Sequence, residues 1–210
     1  MACPPEQPTS PSRRRGRGLS RSFFARSALE VAPDLLNKLL VVGDRSGRIV
    51  EVEAYMGEDD PASHAYRGPT PRTAVMFGPA GHLYVYFSYG MHWCANVVAG
   101  DDGIASAVLL RAVRPVSGID SMRAARPAAR RDVDLTNGPA KLCQALGISG
   151  ELDGTDITRP GALVRIVDDA VAPPELPTTG PRVGISAAVD CPWRFSVPDD
   201  PHRSAPRPRP

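Results

Sequence analysis

Lysine is almost missing from this sequence, with Lys38 and Lys141 standing against 23 arginines. Arginine forks suit bidentate phosphate contacts, and a biased genome gives the same ratio, so both readings of the imbalance stay open. A charge of one sign is missing as well. The formal net charge of +2 divides into +3 over residues 1–18, +1 over 199–210 and −2 over 19–198. A uniformly basic nucleic-acid coat is thereby excluded, and a local basic groove is not. Cys3, Cys94, Cys143 and Cys191 form no C-x-x-C pair, and no signal-peptide stretch follows the first residues. A reduced, cytoplasmic setting is expected, nucleoid-associated in a bacterial chain. No apolar run approaches the roughly 18 residues that span a bilayer, so no membrane partner is expected. The phosphate loops G-x-G-x-x-G and Walker A, the G-x-S-x-G elbow and internal repeats are all absent. The histidines have no metal-site spacing beyond the close pair His92 and Cys94. Neither a metal nor a cofactor is expected.

What is present points to one domain. The 210 residues suffice for a single sizeable core, and 42 of them are proline or glycine, which argues against long helical bundles. Nine of the 23 prolines fall in residues 1–18 and 198–210, where apolar side chains are too few to offset the entropy of ordering. Residues 1–18 and 199–210 therefore read as disordered tails around a domain spanning 19–198.

Leu35, Leu36, Leu39 and Leu40 recur at helical spacing after Pro33. The turn 43–47 separates Leu39–Val42 from Arg48–Tyr55, which reads as a β-hairpin. Period-two alternation along the second run places Val50, Val52 and Ala54 on one face and Glu51, Glu53 and Tyr55 on the other. Residues 56–81 are broken by glycine and proline into a long loop, and a loop of that length inside a domain is often functional. Strands are expected at 83–89, 104–113, 162–167 and 193–197, and helices at 118–125 and 139–146, the latter capped by Asn137 and closed at Gly147. These elements predict an α+β fold, a single mixed domain with a curved, largely antiparallel sheet and flanking helices.

Eight of the twelve aromatic residues lie between Tyr55 and Trp93. Such a concentration suits the stacking of flat rings, whereas Tyr84, Tyr86 and Phe87 are better read as packing within a sheet. Tyr89 precedes Gly90 at a strand end, where its ring can project into solvent. Glu53 is the general-base candidate, since a carboxylate beside a core position is partly desolvated and a better proton acceptor. Glu51 lies about 6.6 Å along the same strand face, which leaves a two-carboxylate sugar glycosidase open. A binding protein for damaged or single-stranded nucleic acid, using the same aromatics and arginines without reacting, is the other alternative.

The segments Gly47–Tyr55 (GRIVEVEAY), Leu83–Tyr86 (LYVY), Tyr89–Met91 (YGM), Val108–Ala112 (VLLRA) and Asn137–Leu146 (NGPAKLCQAL) closely resemble the alkyladenine (3-methyladenine) DNA glycosylase family. They follow the family's order over roughly residues 20–198. The resemblance implies a monofunctional glycosylase of DNA repair, acting as a monomer on double-stranded DNA that contains damaged purines. It implies that Glu53 activates the attacking water, that Arg111 helps to hold this water and that the Val197 carbonyl is a third contact. Tyr55 and His64 would sandwich a flipped base with Tyr86 at the pocket edge, and Asn96 would crowd the exocyclic amino group of guanine. Tyr89 would wedge into the duplex gap with Met91 beside it. Arg13 to Arg17 lie outside the resemblance, and non-specific DNA affinity and an inert solvated run are both open for them.

Overall fold

An apolar run, a glycine-containing turn and a second alternating run favour a hairpin, and residues 39–55 form one. In the computed structural model, which describes residues 16–204, its strands are β2 (Leu39–Val42) and β3 (Arg45–Tyr55). The hairpin lies within a curved antiparallel sheet that also contains β1 (Arg17–Gly18), β4 (Leu83–Ser88), β5 (His92–Ala99), β6 (Ser106–Ser117) and β7 (Val164–Asp168). The strand order is β1-β7-β2-β3-β6-β5-β4, and a short pair, β8 (Thr178–Gly180) with β9 (Arg194–Ser196), joins β3 through β9. The helices are α1 (Arg21–Phe24), α2 (Ala28–Leu35), α3 (Ile119–Ala125) and α4 (Pro139–Leu146). The molecule is a single α+β domain, as the sequence predicts.

The main core lies between the helices and one face of the sheet. Val31, Leu35, Leu142 and Leu146 from α2 and α4 bury against Ile49, Val52, Ala54, Val97, Val108, Leu110 and Val113. Each fully buried side chain of this size contributes about 1.5–3 kcal/mol. A smaller cluster of Met76, Tyr84, Val98, Ala105 and Ala107, with Ala65, fastens the loop 56–81 over the opposite face. Gly57 makes that fastening possible: it adopts φ +63, and a Cβ there would sit 1.6 Å from the Ala105 carbonyl oxygen.

Several expectations need correction. The helix near Pro33 runs over 28–35 instead, because Ser27 and Glu30 form a capping box that starts it earlier. Asn37 then turns the chain at φ 66, so Leu39 and Leu40 enter β2. The cap of α4 is Gly138 rather than Asn137, whose side chain accepts from Lys141 Nζ at 2.7 Å. Strands β5 and β8 have no counterpart in the expected set. Val50 is not in the main core, since the β3–β6 register shifts on both sides of Glu51 and leaves Val50 on β3 and Arg111 on β6 without partners. Ile49 takes the core place, and the bulge turns Arg111 toward the opposite face. The expected tails at residues 1–18 and 199–210 lie mostly outside the described residues, but their inner ends are ordered. Arg17 and Gly18 pair with Asp168 and Val167, while Asp200 and Ser204 are buried.

Candidate active site

The face of the sheet opposite the main core carries a cavity of about 1070 Å³, at the upper end of small-molecule pockets. One wall is Tyr55, His64, Tyr84, Tyr86 and Asn96, another is the start of α4, and Tyr89 stands at the rim. Alternation puts Glu51, Glu53 and Tyr55 of β3 beside Leu109 and Arg111 of β6 on this face.

Glu53 is wholly buried behind Tyr55, Arg111 and Val183, all of which line the cavity. Its Oε2 accepts from the Tyr55 hydroxyl at 3.0 Å and pairs with Arg111 Nη1 at 3.2 Å, and its Oε1 accepts from the Val183 N–H at 2.7 Å. An ionised carboxylate has about four acceptor sites, so this geometry leaves one on Oε1. Burial pushes the Glu53 pKa above the usual carboxylate range, against the opposing pull of Arg111, the Val183 N–H and the Tyr55 hydroxyl. The Tyr55 phenol is likewise driven up, first by burial and then by the Glu53 charge.

Glu51 has a different environment. Its Oε1 accepts from Arg111 Nε at 3.1 Å, Ser204 Oγ at 2.8 Å and Arg194 Nη1 at 3.3 Å, and its Oε2 accepts from the Ser204 N–H. Those four bonds, three on Oε1 and one on Oε2, tie it to Arg111, Arg194 and Ser204 more fully than Glu53 is tied to its neighbours. Burial works against the Arg111 charge, but Glu53 and Glu51 outweigh it and raise its pKa.

A second buried ion pair lies directly behind Tyr55. Arg182 is 4% exposed, donates from Nη2 to Asp60 Oδ1 at 2.8 Å and from Nη1 to the Ala54 carbonyl at 3.0 Å, and also pairs through Nη1 with Asp60 Oδ2. Its guanidinium lies 4.6 Å from the Tyr55 ring centroid and 4.9 Å from that of Trp193. Removing one partner of such a pair costs about 3–5 kcal/mol.

The predicted site residues separate into groups. Glu53, Arg111 and Tyr55 are in direct contact. His64 and Tyr86 line the same cavity, with ring centroids 4.5 Å apart and nearly perpendicular planes. His64 Nδ1 is 3.1 Å from the Tyr84 hydroxyl, and partial enclosure together with the Arg72 charge holds its pKa below the usual imidazole value. Asn96 is buried at the cavity wall and donates from Nδ2 to the Tyr84 carbonyl at 3.1 Å. Tyr89 and Met91 stand at the tip of the β4–β5 hairpin, 81% and 67% exposed, where Tyr89 and Gly90 both adopt positive φ. Val197 does not line the cavity: its N–H donates to the Val50 carbonyl, and its own carbonyl, the group expected at the water, accepts from the Asp200 N–H at 3.5 Å. The backbone group that reaches Glu53 belongs to Val183. Val183, Arg182, Asp60 and Ser204 went unread in the sequence, because nothing local marks a distant segment that folds back onto a strand.

The family model for methylpurine-DNA glycosylase matches residues 22–201. The chain belongs to the methylpurine-DNA glycosylase family. It is therefore a glycosylase of alkylated bases in DNA repair, a hydrolase of N-glycosyl bonds. Among its relatives, the Burkholderia lata protein named "Putative 3-methyladenine DNA glycosylase" is 57% identical over 192 residues, covering 91% of this chain and 93% of that protein. Proteins of the same name from Burkholderia cenocepacia and Agrobacterium fabrum are 56% and 52% identical, over 92% and 84% of this chain and 94% and 87% of theirs. Among the described residues of this glycosylase no helix is long and apolar enough to cross a membrane, and no group of three or more potential metal ligands occurs.

Proposed function

We propose that this glycosylase flips an alkylated or damaged purine nucleotide out of duplex DNA and hydrolyses its N-glycosidic bond with water activated by Glu53, leaving an abasic site. A stacked base hides its glycosidic bond, so the nucleotide must leave the helix at a cost of a few kcal/mol. Tyr89, with Met91 beside it, fills the gap, and the base enters between Tyr55 and His64 with Tyr86 at its edge. Asn96 disfavours guanine by crowding its exocyclic amino group.

The observation that carries the reading is the buried Glu53 held between Arg111, Tyr55 and Val183 with one acceptor site left. At that site the carboxylate takes a proton from water as the oxygen bonds to the sugar carbon and the base departs. Burial makes it a stronger base than an exposed glutamate, and Arg111 favours its ionised form. Its charge also stabilises the cationic sugar that develops as the bond breaks. The Val183 N–H holds the carboxylate from its Oε1 side. The enzyme acts on double-stranded DNA as a monomer.

The test is incubation of the purified chain with methylated duplex DNA, scoring released base and alkali-labile abasic sites. Both are expected from the parent, and neither from Glu53→Gln, which keeps the shape but not the basicity. A folded Glu53→Gln protein that releases base at the parent rate refutes the assignment.

A further inference from the structure

We propose that Arg182 is a positioning residue which, anchored by Asp60, fixes the stacking ring of Tyr55 and the acceptor geometry of Glu53 as one unit. This rests on the proposed function, in which Tyr55 stacks on the base and Glu53 activates water. The guanidinium covers the back of the Tyr55 ring and is itself backed by Trp193, so the ring is braced on the side away from the cavity. Its Nη1 donates to the carbonyl of Ala54, the residue between Glu53 and Tyr55. The next residue along, Val183, donates its N–H to Glu53 Oε1. One side chain thus fixes both neighbours of the peptide at Ala54 and the only backbone donor on the carboxylate among the described residues. Asp60 holds it bidentately and is in turn fixed by the N–H groups of Met56 and Ala62 at 3.2 and 3.0 Å, which ties the start of the long loop to the same anchor. An arginine suits the place because its flat fork can be stacked between two rings and still donate in plane, which an ammonium cannot.

The pH dependence of the reaction reports this positioning. The charged and titratable groups around Glu53 are Glu51 and Tyr55 on β3, Arg111 on β6, Tyr86 on β4 and Arg182 beside Val183. Arg111, the Val183 N–H and the Tyr55 hydroxyl favour its ionised form. Loosening Arg182 weakens the Val183 bond and leaves burial less opposed, so ionisation requires a higher pH.

The experiment is single-turnover excision from methylated duplex DNA as a function of pH, by the full chain and by Arg182→Lys, with melting temperatures measured alongside. Arg182→Lys is expected to lose about tenfold at neutral pH, mostly in the maximal single-turnover rate rather than in the enzyme concentration that half-saturates it, and to move the acidic limb upward by about one pH unit. Asp60→Asn should move the limb in the same direction by less, and it carries the test if Arg182→Lys does not fold. A folded variant whose limb stays at the parent position overturns the proposal. So does the failure of both variants to fold, because the pair would then serve the whole domain and not the site. Glu53→Gln separates this from the underlying reading: excision surviving there overturns the base assignment, whereas its loss with an unmoved limb in Arg182→Lys overturns the positioning alone.

Discussion

Along β6, Val108, Leu110 and Val113 point to the helices, while Ala107, Leu109 and Arg111 point to the loop 56–81 and the cavity. The first face is continuous aliphatic packing. On the second, β3 and β6 bury two glutamates and an arginine within hydrogen-bonding distance of one another. A buried ionic layer of this kind gives little net stability, because desolvation offsets the attraction, so its presence on half of the sheet is a matter of chemistry. Stability belongs to the helix face and reactivity to the cavity face, and mutations on the two should separate the properties.

The largest effect expected on stability is at Leu110. Leu110→Ala leaves a hole in the core beneath the helices and should cost about 2–5 kcal/mol, read as a lower melting temperature, while excision per folded molecule stays near the parent value. Equal loss of both would break the division between faces. Tyr89→Ala should do the reverse. Its ring is exposed and supports nothing in the fold, so the melting temperature should hold, while duplex binding and excision weaken by about 1–3 kcal/mol, the worth of one stacked ring. A lesion in an already loosened mismatch should suffer less, and equal losses on the two substrates would argue against a wedge. Asn96→Ser is a smaller change. It removes a wall group and should raise guanine excision relative to an adenine lesion by less than about tenfold, so an unchanged ratio in a stable variant removes its selectivity role.

The smallest effect lies away from both faces, at Asp156. Burial raises its pKa, but the hydroxyl and N–H of Thr158 and the guanidinium of Arg21 outweigh this and lower it from 3.8 to about 2. A lowered carboxylate contributes stability above its unfolded pKa and loses it as pH falls through the folded one. Asp156→Asn should therefore melt slightly below the parent near neutrality, with the gap closing between about pH 4 and about pH 2. Arg21 is 42% exposed, so solvent screening keeps the gap small. A gap that widens toward low pH would contradict the sign.

The same contrast explains what could be read from the sequence. The hairpin at 39–55, α3 and α4 were legible because each carries local punctuation, a turn or a cap, around a clear period. The helix face followed from alternation, apart from Val50, since a bulge changes parity without leaving a mark in composition. Strand β5 escaped because His92, Asn96 and the small Cys94 and Ala95 blur its alternation, and Asn96 is polar for the sake of the cavity. Glu53, Arg111 and Tyr55 stood out through residue type and the family resemblance. Arg182, Val183 and Ser204 join the site from segments remote in sequence, and proline-rich composition made residues 199–204 look like tail. Their inclusion depends on the buried Asp200 and Ser204 finding partners, Arg114 and Glu51, which only the folded sheet brings near.

The most direct measurement pairs the two properties at one residue, the melting temperature and the single-turnover excision rate of Glu53→Gln on the same preparation. Neutralising Glu53 relieves its desolvation but leaves Arg111 with Glu51 as its remaining glutamate partner, so the melting temperature should fall by no more than a few degrees, while excision falls by about 10²–10⁴-fold and lesion binding is retained. A variant that melts well below the parent yet excises normally when folded would place Glu53 in the framework of the domain and contradict its role as the base.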